Sequence, residues 1–104
     1  MLADRQLELK KRITDLLRSK SESLQIKGLR ILRNLGDKAH FAERDLVRLL
    51  ASRDSDVKIE AITTVVKIGL GSNVITEALS NLVDDSDLNV QKQAIAAIEQ
   101  FRGF

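Results

Sequence analysis

The chain has 104 residues and a net charge of +2, and it contains no Cys, Pro, Trp or Tyr. The absence of Cys excludes disulfides, thiolate metal sites and thiol nucleophiles, and no apolar run approaches the roughly 20 residues that cross a bilayer. With 43% hydrophobic and 31% charged residues, and no signal-peptide pattern at its start, the sequence predicts one folded domain, 1–104, that is cytoplasmic and independent of membranes.

Apolar residues follow two helical spacings in alternation. One runs i, i+4, i+7, i+8, as from Leu9 to Leu17, and the other runs i, i+4, i+5, i+8, i+11, as from Val57 to Ile68. Both place apolar side chains on one face of an α-helix, and the second stripe is wide enough to contact two neighbouring helices. These spacings predict six helices, over 4–19, 24–35, 40–52, 57–68, 74–84 and 90–102.

Nine apolar or small positions recur at i, i+33 and i+66 along the chain. A core that recurs at fixed spacing is typical of a solenoid, in which each unit buries its apolar face against its neighbours. We therefore predict an all-α fold, an α-solenoid of three stacked helical hairpins, with repeat one at 4–36, repeat two at 37–69 and repeat three at 70–103. The recurring positions are Leu9, Ile13, Leu16, Leu17, Leu24, Gly28, Leu29, Leu32 and Leu35 in repeat one, then Ala42, Leu46, Leu49, Leu50, Val57, Ala61, Ile62, Val65 and Ile68, then Ile75, Leu79, Leu82, Val83, Val90, Ala94, Ile95, Ile98 and Phe101.

A short polar turn separates the two helices of each repeat. Ser23, Asp56 and Asn89 directly precede the first core residue of each second helix, and their side chains suit an N-cap, which accepts a hydrogen bond from an unpaired backbone N–H. The alternative is that the acids of these turns only solvate a loop. Gly36 and Gly69 are predicted to end the second helices with positive φ, whereas repeat three has Arg102 there and Gly103 one residue later. Asp37, and then Ser72 or Asn73, are suitable starts for the next repeat.

The period, the two helices per unit and the turn sequences together resemble HEAT repeats, particularly the short ones of phycobilin lyases. In that family an Asp in the turn is followed by Val, a basic residue and a small Ala. The resemblance implies a right-handed superhelical array that recognises other macromolecules, while ankyrin and tetratricopeptide signatures are missing. The matching residues are Asp54, Val57, Lys58 and Ala61 in repeat two and Asp87, Val90 and Ala94 in repeat three, which has Gln91 in the basic place. Repeat one departs furthest, with Ser21, Leu24, Gln25 and Gly28.

Outward-facing residues of the second helices form a polar ladder, which such a stack places on its concave side. The mostly short side chains predict a groove for an unidentified protein or peptide, and a solvated face without a ligand is the alternative. The ladder residues are Lys27, Arg30, Asn34, Glu60, Thr63, Lys67, Gln93, Ala96 and Gln100.

The first helices of repeats one and two carry a basic patch. A patch of this size suits acidic protein surface, phosphate groups or nucleic acid, so nucleic-acid or polyanion binding is an alternative function. The other interpretation is a solvated face with i, i+4 pairs such as Glu8–Arg12. The patch residues are Lys11, Arg12, Lys20, Arg44, Arg48 and Arg53, with Arg18 nearby.

No catalytic constellation is recognisable, so we predict a non-enzymatic scaffold without metal or cofactor. His40 is the only His and is expected on the surface or as a capping residue, and Asp84–Asp87 lacks the spacing of a calcium loop. Excision of damaged bases, known for some HEAT-like proteins, would need aromatic stacking residues that are scarce here. An accessory piece of a phycobilin-lyase-like protein is a further alternative, and it would require a partner subunit.

The charge is unevenly distributed, with +6 on residues 1–53 and −4 on residues 54–104. The two ends of the predicted stack therefore have opposite charge. Phe101 and Phe104 lie where a fourth repeat would begin, although solenoid ends need polar caps or a covering neighbour. These features predict either a segment of a longer array or self-association through the repeat ends, head to tail.

Overall fold

A computed structural model describes residues 2–103. Within this range the chain forms six α-helices, one 3-10 helix and no β-strand, which confirms the all-α prediction. None of the described helices combines the length and the apolar character needed to cross a bilayer. Phe104, which figured in the prediction of self-association, lies outside the described residues. The helices are α1 Leu2–Leu17, α2 Glu22–Arg33, α3 Glu43–Leu50, α4 Ser55–Lys67, α5 Asn73–Ser80 and α6 Leu88–Arg102, with the 3-10 helix Gly36–Ala42 between α2 and α3.

The helices pack as consecutive pairs whose second members contact one another. Helix α1 contacts α2, α3 contacts α4, and α5 contacts α6, while α4 also contacts both α2 and α6. The first helices α1, α3 and α5 contact one another in the same order. The molecule is consequently a flat body with extents of 45 × 30 × 18 Å.

The core runs continuously through this arrangement and is densest at its middle. All nine recurring positions of repeat two are buried, from Ala42 to Ile68. Some of the equivalent residues in repeats one and three are exposed, namely Leu9, Leu24 and Ile95. The middle set is covered from both sides, because α4 has a second helix on each flank.

The N-caps lie two residues before the predicted ones. Ser21, Asp54 and Asp87 are the capping residues, and the Asp54 carboxylate accepts a hydrogen bond from the Val57 backbone N–H at 3.0 Å. The prediction of Ser23, Asp56 and Asn89 was therefore wrong. It assumed that each helix begins at its first core residue, whereas the structure places that core residue three positions after the cap.

Two predicted helices differ in extent from the helices of the structure. The predicted helix 40–52 is divided into the 3-10 helix Gly36–Ala42 and α3, and the predicted helix 74–84 ends at Ser80. Gly36 and Gly69 have φ of 56° and 70°, as predicted, and Gly103 rather than Arg102 takes the left-handed conformation after α6. The ring Nε2 of His40 lies 3.2 Å from the carbonyl oxygen of Ile68 at the end of α4. The prediction of a surface or capping His is confirmed.

Gly28 marks a close contact between α1 and α2 in repeat one. A Cβ atom at this position would lie 2.9 Å from the Cβ of Leu16 on α1, a distance that side chains do not tolerate without a shift. The equivalent residues of the other repeats are Ala61 and Ala94. Gly28, where the other repeats have Ala, therefore leaves room for Leu16 at the contact between α1 and α2.

Replacing the true N-cap of α4 should cost more than replacing the predicted one. We expect Asp54→Ala to lower the free energy of unfolding by about 1 kcal/mol, because the Val57 N–H loses its acceptor. Asp56→Ala is the matched control and should cost clearly less, since Asp56 affects α4 only through the helix dipole. Asp54→Asn keeps a capping oxygen and should restore most of the loss. Urea titration followed by circular dichroism measures all three, and equal losses at Asp54 and Asp56 would contradict the assignment.

Candidate binding groove between the second helices

The ladder residues fall into two groups according to the junction that they border. The first junction lies between α2 and α4, and the second junction lies between α4 and α6. Lys27 and Arg30 project from α2, and Asn34 ends that helix as its C-cap. Thr63 and Lys67 on α4 and Gln93, Ala96 and Gln100 on α6 are all exposed, whereas Glu60 is partly buried.

The first junction is closed by a polar network centred on Glu60. The carboxylate of Glu60 receives a hydrogen bond from Arg30 Nη2 at 2.8 Å and another from Arg33. Arg33 also donates to the Thr64 hydroxyl at 2.9 Å, and that hydroxyl donates to the Glu60 carbonyl oxygen at 2.7 Å. Two predicted ladder residues, Arg30 and Glu60, are thus engaged with each other across the junction.

The second junction instead holds an open groove of about 220 Å³. Five predicted ladder residues line it, including Ala96, and the remaining lining is aliphatic. The volume lies below the roughly 300–1,000 Å³ that is usual for small-molecule sites. The lining residues are Thr63, Lys67, Gln93 and Gln100 at the rim and Ile62, Val66, Ala96 and Ala97 along the helices.

The groove exists because the second junction lacks the charged side chains of the first. At equivalent positions of consecutive repeats, Arg30 and Arg33 correspond to Thr63 and Val66, while Glu60 and Thr64 correspond to Gln93 and Ala97. All four replacements line the groove. Shorter or uncharged side chains leave the space between α4 and α6 unfilled, whereas arginine–glutamate pairs span the same space between α2 and α4.

The groove combines an aliphatic floor with a rim that can form hydrogen bonds. The Thr63 hydroxyl donates to the Ile59 carbonyl oxygen at 3.0 Å, so its oxygen keeps accepting capacity. Gln93 and Gln100 are exposed amides that both donate and accept, and Lys67 adds one positive charge. The prediction from sequence missed the aliphatic lining and the closing roles of Arg33 and Thr64. In the sequence, the only indication of the groove was that charged residues are replaced by uncharged ones at equivalent positions from repeat one to repeat three.

The basic patch is partly neutralised by neighbouring acids. Arg12 pairs with Glu8 at 3.1 Å, as predicted, and Arg48 pairs with Asp45 at 3.2 Å while donating to the Leu17 carbonyl oxygen. The nearby Arg18 also binds Asp45, at 3.0 Å. The other patch residues are exposed and form no salt bridge within residues 4–103, namely Lys11, Lys20, Arg44 and Arg53.

Other chemistry-bearing residues do not cluster in the described part of the chain. Residues 2–103 contain no group of three or more His, Asp or Glu side chains arranged to hold a metal ion. Within the turn that resembled an acidic loop, the carboxylate of Asp85 binds Lys58 from α4 and that of Asp87 caps α6. These acids serve the packing of the helices.

Hydrogen bonds across the junctions shift the pKa values of two carboxyl groups. The Arg30 guanidinium lowers the pKa of Glu60, and Arg33 adds to this effect, while burial acts in the opposite direction. The pKa of Asp85 is lowered first by its hydrogen bond from Lys58 and then by the Asp87 backbone N–H. Both carboxylates therefore stabilise the folded chain in their charged form.

Comparison of the chain with protein-family models, curated proteins and solved structures finds no match. The resemblance to HEAT repeats stays a prediction from the period and from the residues of the inter-helix turns.

Acid should destabilise the first junction through Glu60. Because the pKa of Glu60 is lowered on folding, its contribution is complete above the unfolded value of about 4.3 and is lost as the pH falls through the folded value. We expect Glu60→Gln to lower the free energy of unfolding by roughly 1–2 kcal/mol at neutral pH and to reduce the loss below about pH 4.

The matched control is Glu77→Gln, which removes an exposed carboxylate that forms no salt bridge within residues 4–103. It should leave the neutral-pH stability nearly unchanged. Urea titrations at neutral and acidic pH provide the measurement. If Glu60→Gln and the control have the same acid dependence, the Glu60 network does not hold the junction.

Proposed function

We propose that the chain is a HEAT-like α-solenoid of three hairpins and that it acts as a non-enzymatic protein-binding module through the groove between α4 and α6. The peptide that it binds is short, carries small apolar side chains and has an acidic residue beside Lys67. The observation that carries the proposal is the aliphatic groove with a hydrogen-bonding rim at the second junction. A reducing compartment, the cytoplasm, is the expected setting because the chain contains no Cys.

The order of helix contacts supports the stacked arrangement. Each second helix contacts the second helix of the next repeat, and the first helices follow the same order. Repeat two is buried throughout its recurring positions while the outer repeats are open on one side. This is the burial pattern expected when units contact only their neighbours.

The chemistry of the rim supports a peptide as the ligand. Gln93, Gln100 and Thr63 offer amide and hydroxyl groups of the kind that pair with a peptide backbone, and Ala96 with Ala97 lets that backbone approach closely. Lys67 is exposed at the rim and would pair with a carboxylate. A small groove of this kind binds a few side chains rather than a folded domain.

Selection of peptides against the intact chain, followed by a variant that closes the groove, tests this function. Random peptides displayed on phage would be selected on the wild-type chain and then measured by fluorescence anisotropy. The double variant Thr63→Arg/Gln93→Glu places the Arg30–Glu60 pair at the equivalent positions of the second junction. We expect it to fold, to be at least as stable as the wild type, and to weaken peptide binding at least about tenfold by filling the groove.

The control is Asn73→Glu/Ser80→Arg, which makes the same charge changes at exposed residues of α5. It should bind the selected peptides like the wild type. Failure to select any peptide, or equal binding to the closed and control variants, would contradict the proposal.

The basic patch supports a second candidate, nucleic-acid or polyanion binding, because four of its cations are exposed and form no salt bridge within residues 4–103. This function requires binding to a labelled DNA duplex that weakens steeply with salt and is lost in Lys11→Glu/Arg44→Glu. Binding that is absent at low salt excludes it. The accessory role beside a phycobilin-lyase-like subunit would instead require a partner chain, which co-purification from the native source would identify.

A further inference from the structure

The outer face of repeat one carries an open apolar groove, whereas the equivalent residues of repeat two are buried. The groove lies between α1 and α2, has a volume of about 610 Å³, and includes Leu9, Ile13, Leu24 and Ile31 in its lining. Leu9 and Leu24 are 43% and 42% exposed, whereas the equivalent Ala42 and Val57 of repeat two are 1% and 0% exposed. Side chains that a preceding repeat would cover are therefore open on this face.

The outer face of repeat three shows the complementary opening. Ile95 on α6 is 44% exposed, while its equivalents Leu29 and Ile62 are 0% and 1% exposed. Those two residues are covered because another second helix follows them in the row. Repeat three thus exposes the residue that a following repeat would cover.

Four ion pairs join residues of neighbouring repeats. Three of them, Arg18–Asp45, Arg33–Glu60 and Lys58–Asp85, join residues 27 positions apart. The fourth, Arg30–Glu60, joins residues 30 positions apart. If successive repeats are displaced alike, each pair also identifies the positions that face each other at every other boundary between repeats.

The spacing of 27 positions can be continued from repeat three into repeat one of a second molecule. A full set of three repeats advances the numbering by 99, so residue i of one molecule would face residue i + 27 − 99, or i − 72, of the next. Glu99 would then face Lys27, and Asp84 would face Arg12. These positions are equivalent to Arg33–Glu60 and Arg18–Asp45, with the signs of the charges exchanged. All four side chains are exposed.

We infer that the chain assembles head to tail, with the outer face of α6 in one molecule covering the α1–α2 groove of the next. The inference rests on the stacked arrangement proposed above and is independent of peptide binding. Ile95 packs into the apolar groove, and Glu99 and Asp84 pair with Lys27 and Arg12 of the second molecule. The charges of +6 on residues 1–53 and −4 on residues 54–104 favour this orientation.

The contact is heterologous, because two different faces of the chain meet. Such contacts generate an open chain of molecules unless the rotation between neighbours closes a ring. The assembly should therefore grow with protein concentration and should weaken at high salt, which screens the exposed charge pairs.

Charge exchange at one pair distinguishes this contact from other modes of association. Lys27→Glu places two glutamates at each contact between molecules, and Glu99→Lys places two lysines there. Each variant alone should therefore assemble at least about tenfold more weakly. An equimolar mixture of the two should assemble again, since the unchanged Lys27 of one variant meets the unchanged Glu99 of the other, and the two substituted side chains form the reversed pair. Sedimentation velocity over a range of protein concentrations measures the association. The control is an equimolar mixture of Arg44→Glu and Glu77→Lys, which reverse exposed charges on α3 and α5 and should each behave like the wild type.

Recovery in the mixture supports the head-to-tail contact. A wild-type chain that stays monomeric at every concentration, or variants that associate like the wild type, overturns it. An effect of Lys27→Glu without any effect of Glu99→Lys also overturns it, because only one face would then be used. Small-angle scattering of the monomeric variants checks the stack separately against its Cα radius of gyration of 13.4 Å, so a failed contact is distinguishable from a failed fold.

Discussion

Burial of α4 between α2 and α6 is the packing relationship on which the rest of the structure depends. Val57, Ile62 and Val65 are at most 1% exposed, because the apolar stripe of α4 is wide enough to meet a helix on each flank. Each fully buried aliphatic side chain of this size stabilises the fold by roughly 1.5–3 kcal/mol relative to exposure. The outer second helices have one such neighbour within the chain, and that difference produces both the closed middle and the open ends.

The contacts on the two flanks of α4 differ in their chemistry. Toward α2, Glu60 and Thr64 bind Arg33, and these directional contacts fix the register of the two helices. Toward α6, the side chains are short or uncharged and the contact is apolar, which leaves space above the helices. One junction is therefore closed by a charged network, and the other holds an open groove. A groove at both junctions would remove the charged network that keeps α2 in position.

The sequence predicted correctly that most ladder and patch residues are exposed, but it did not identify all of the residues that pair across neighbouring helices. The ladder and the basic patch are polar, and most of their residues are exposed as a helical period requires. What one helix cannot reveal is which residue of the next helix lies opposite, because that depends on the displacement between repeats. The pairs Arg18–Asp45 and Lys58–Asp85 form only once the helices are packed together. Arg33 and Thr64 were missed as partners for this reason.

The sequence by itself determined the helical character of the chain, the regular recurrence of its apolar positions and the glycines that end α2 and α4, since these follow from apolar spacing and from the freedom of Gly at positive φ. Tertiary structure decided which residues of neighbouring helices pair with each other and which junction stays open. The physical reason is range: propensity and capping act within one turn of helix, as in the Asp54–Val57 hydrogen bond, whereas the position of Gln93 in a groove is fixed by how whole helices pack.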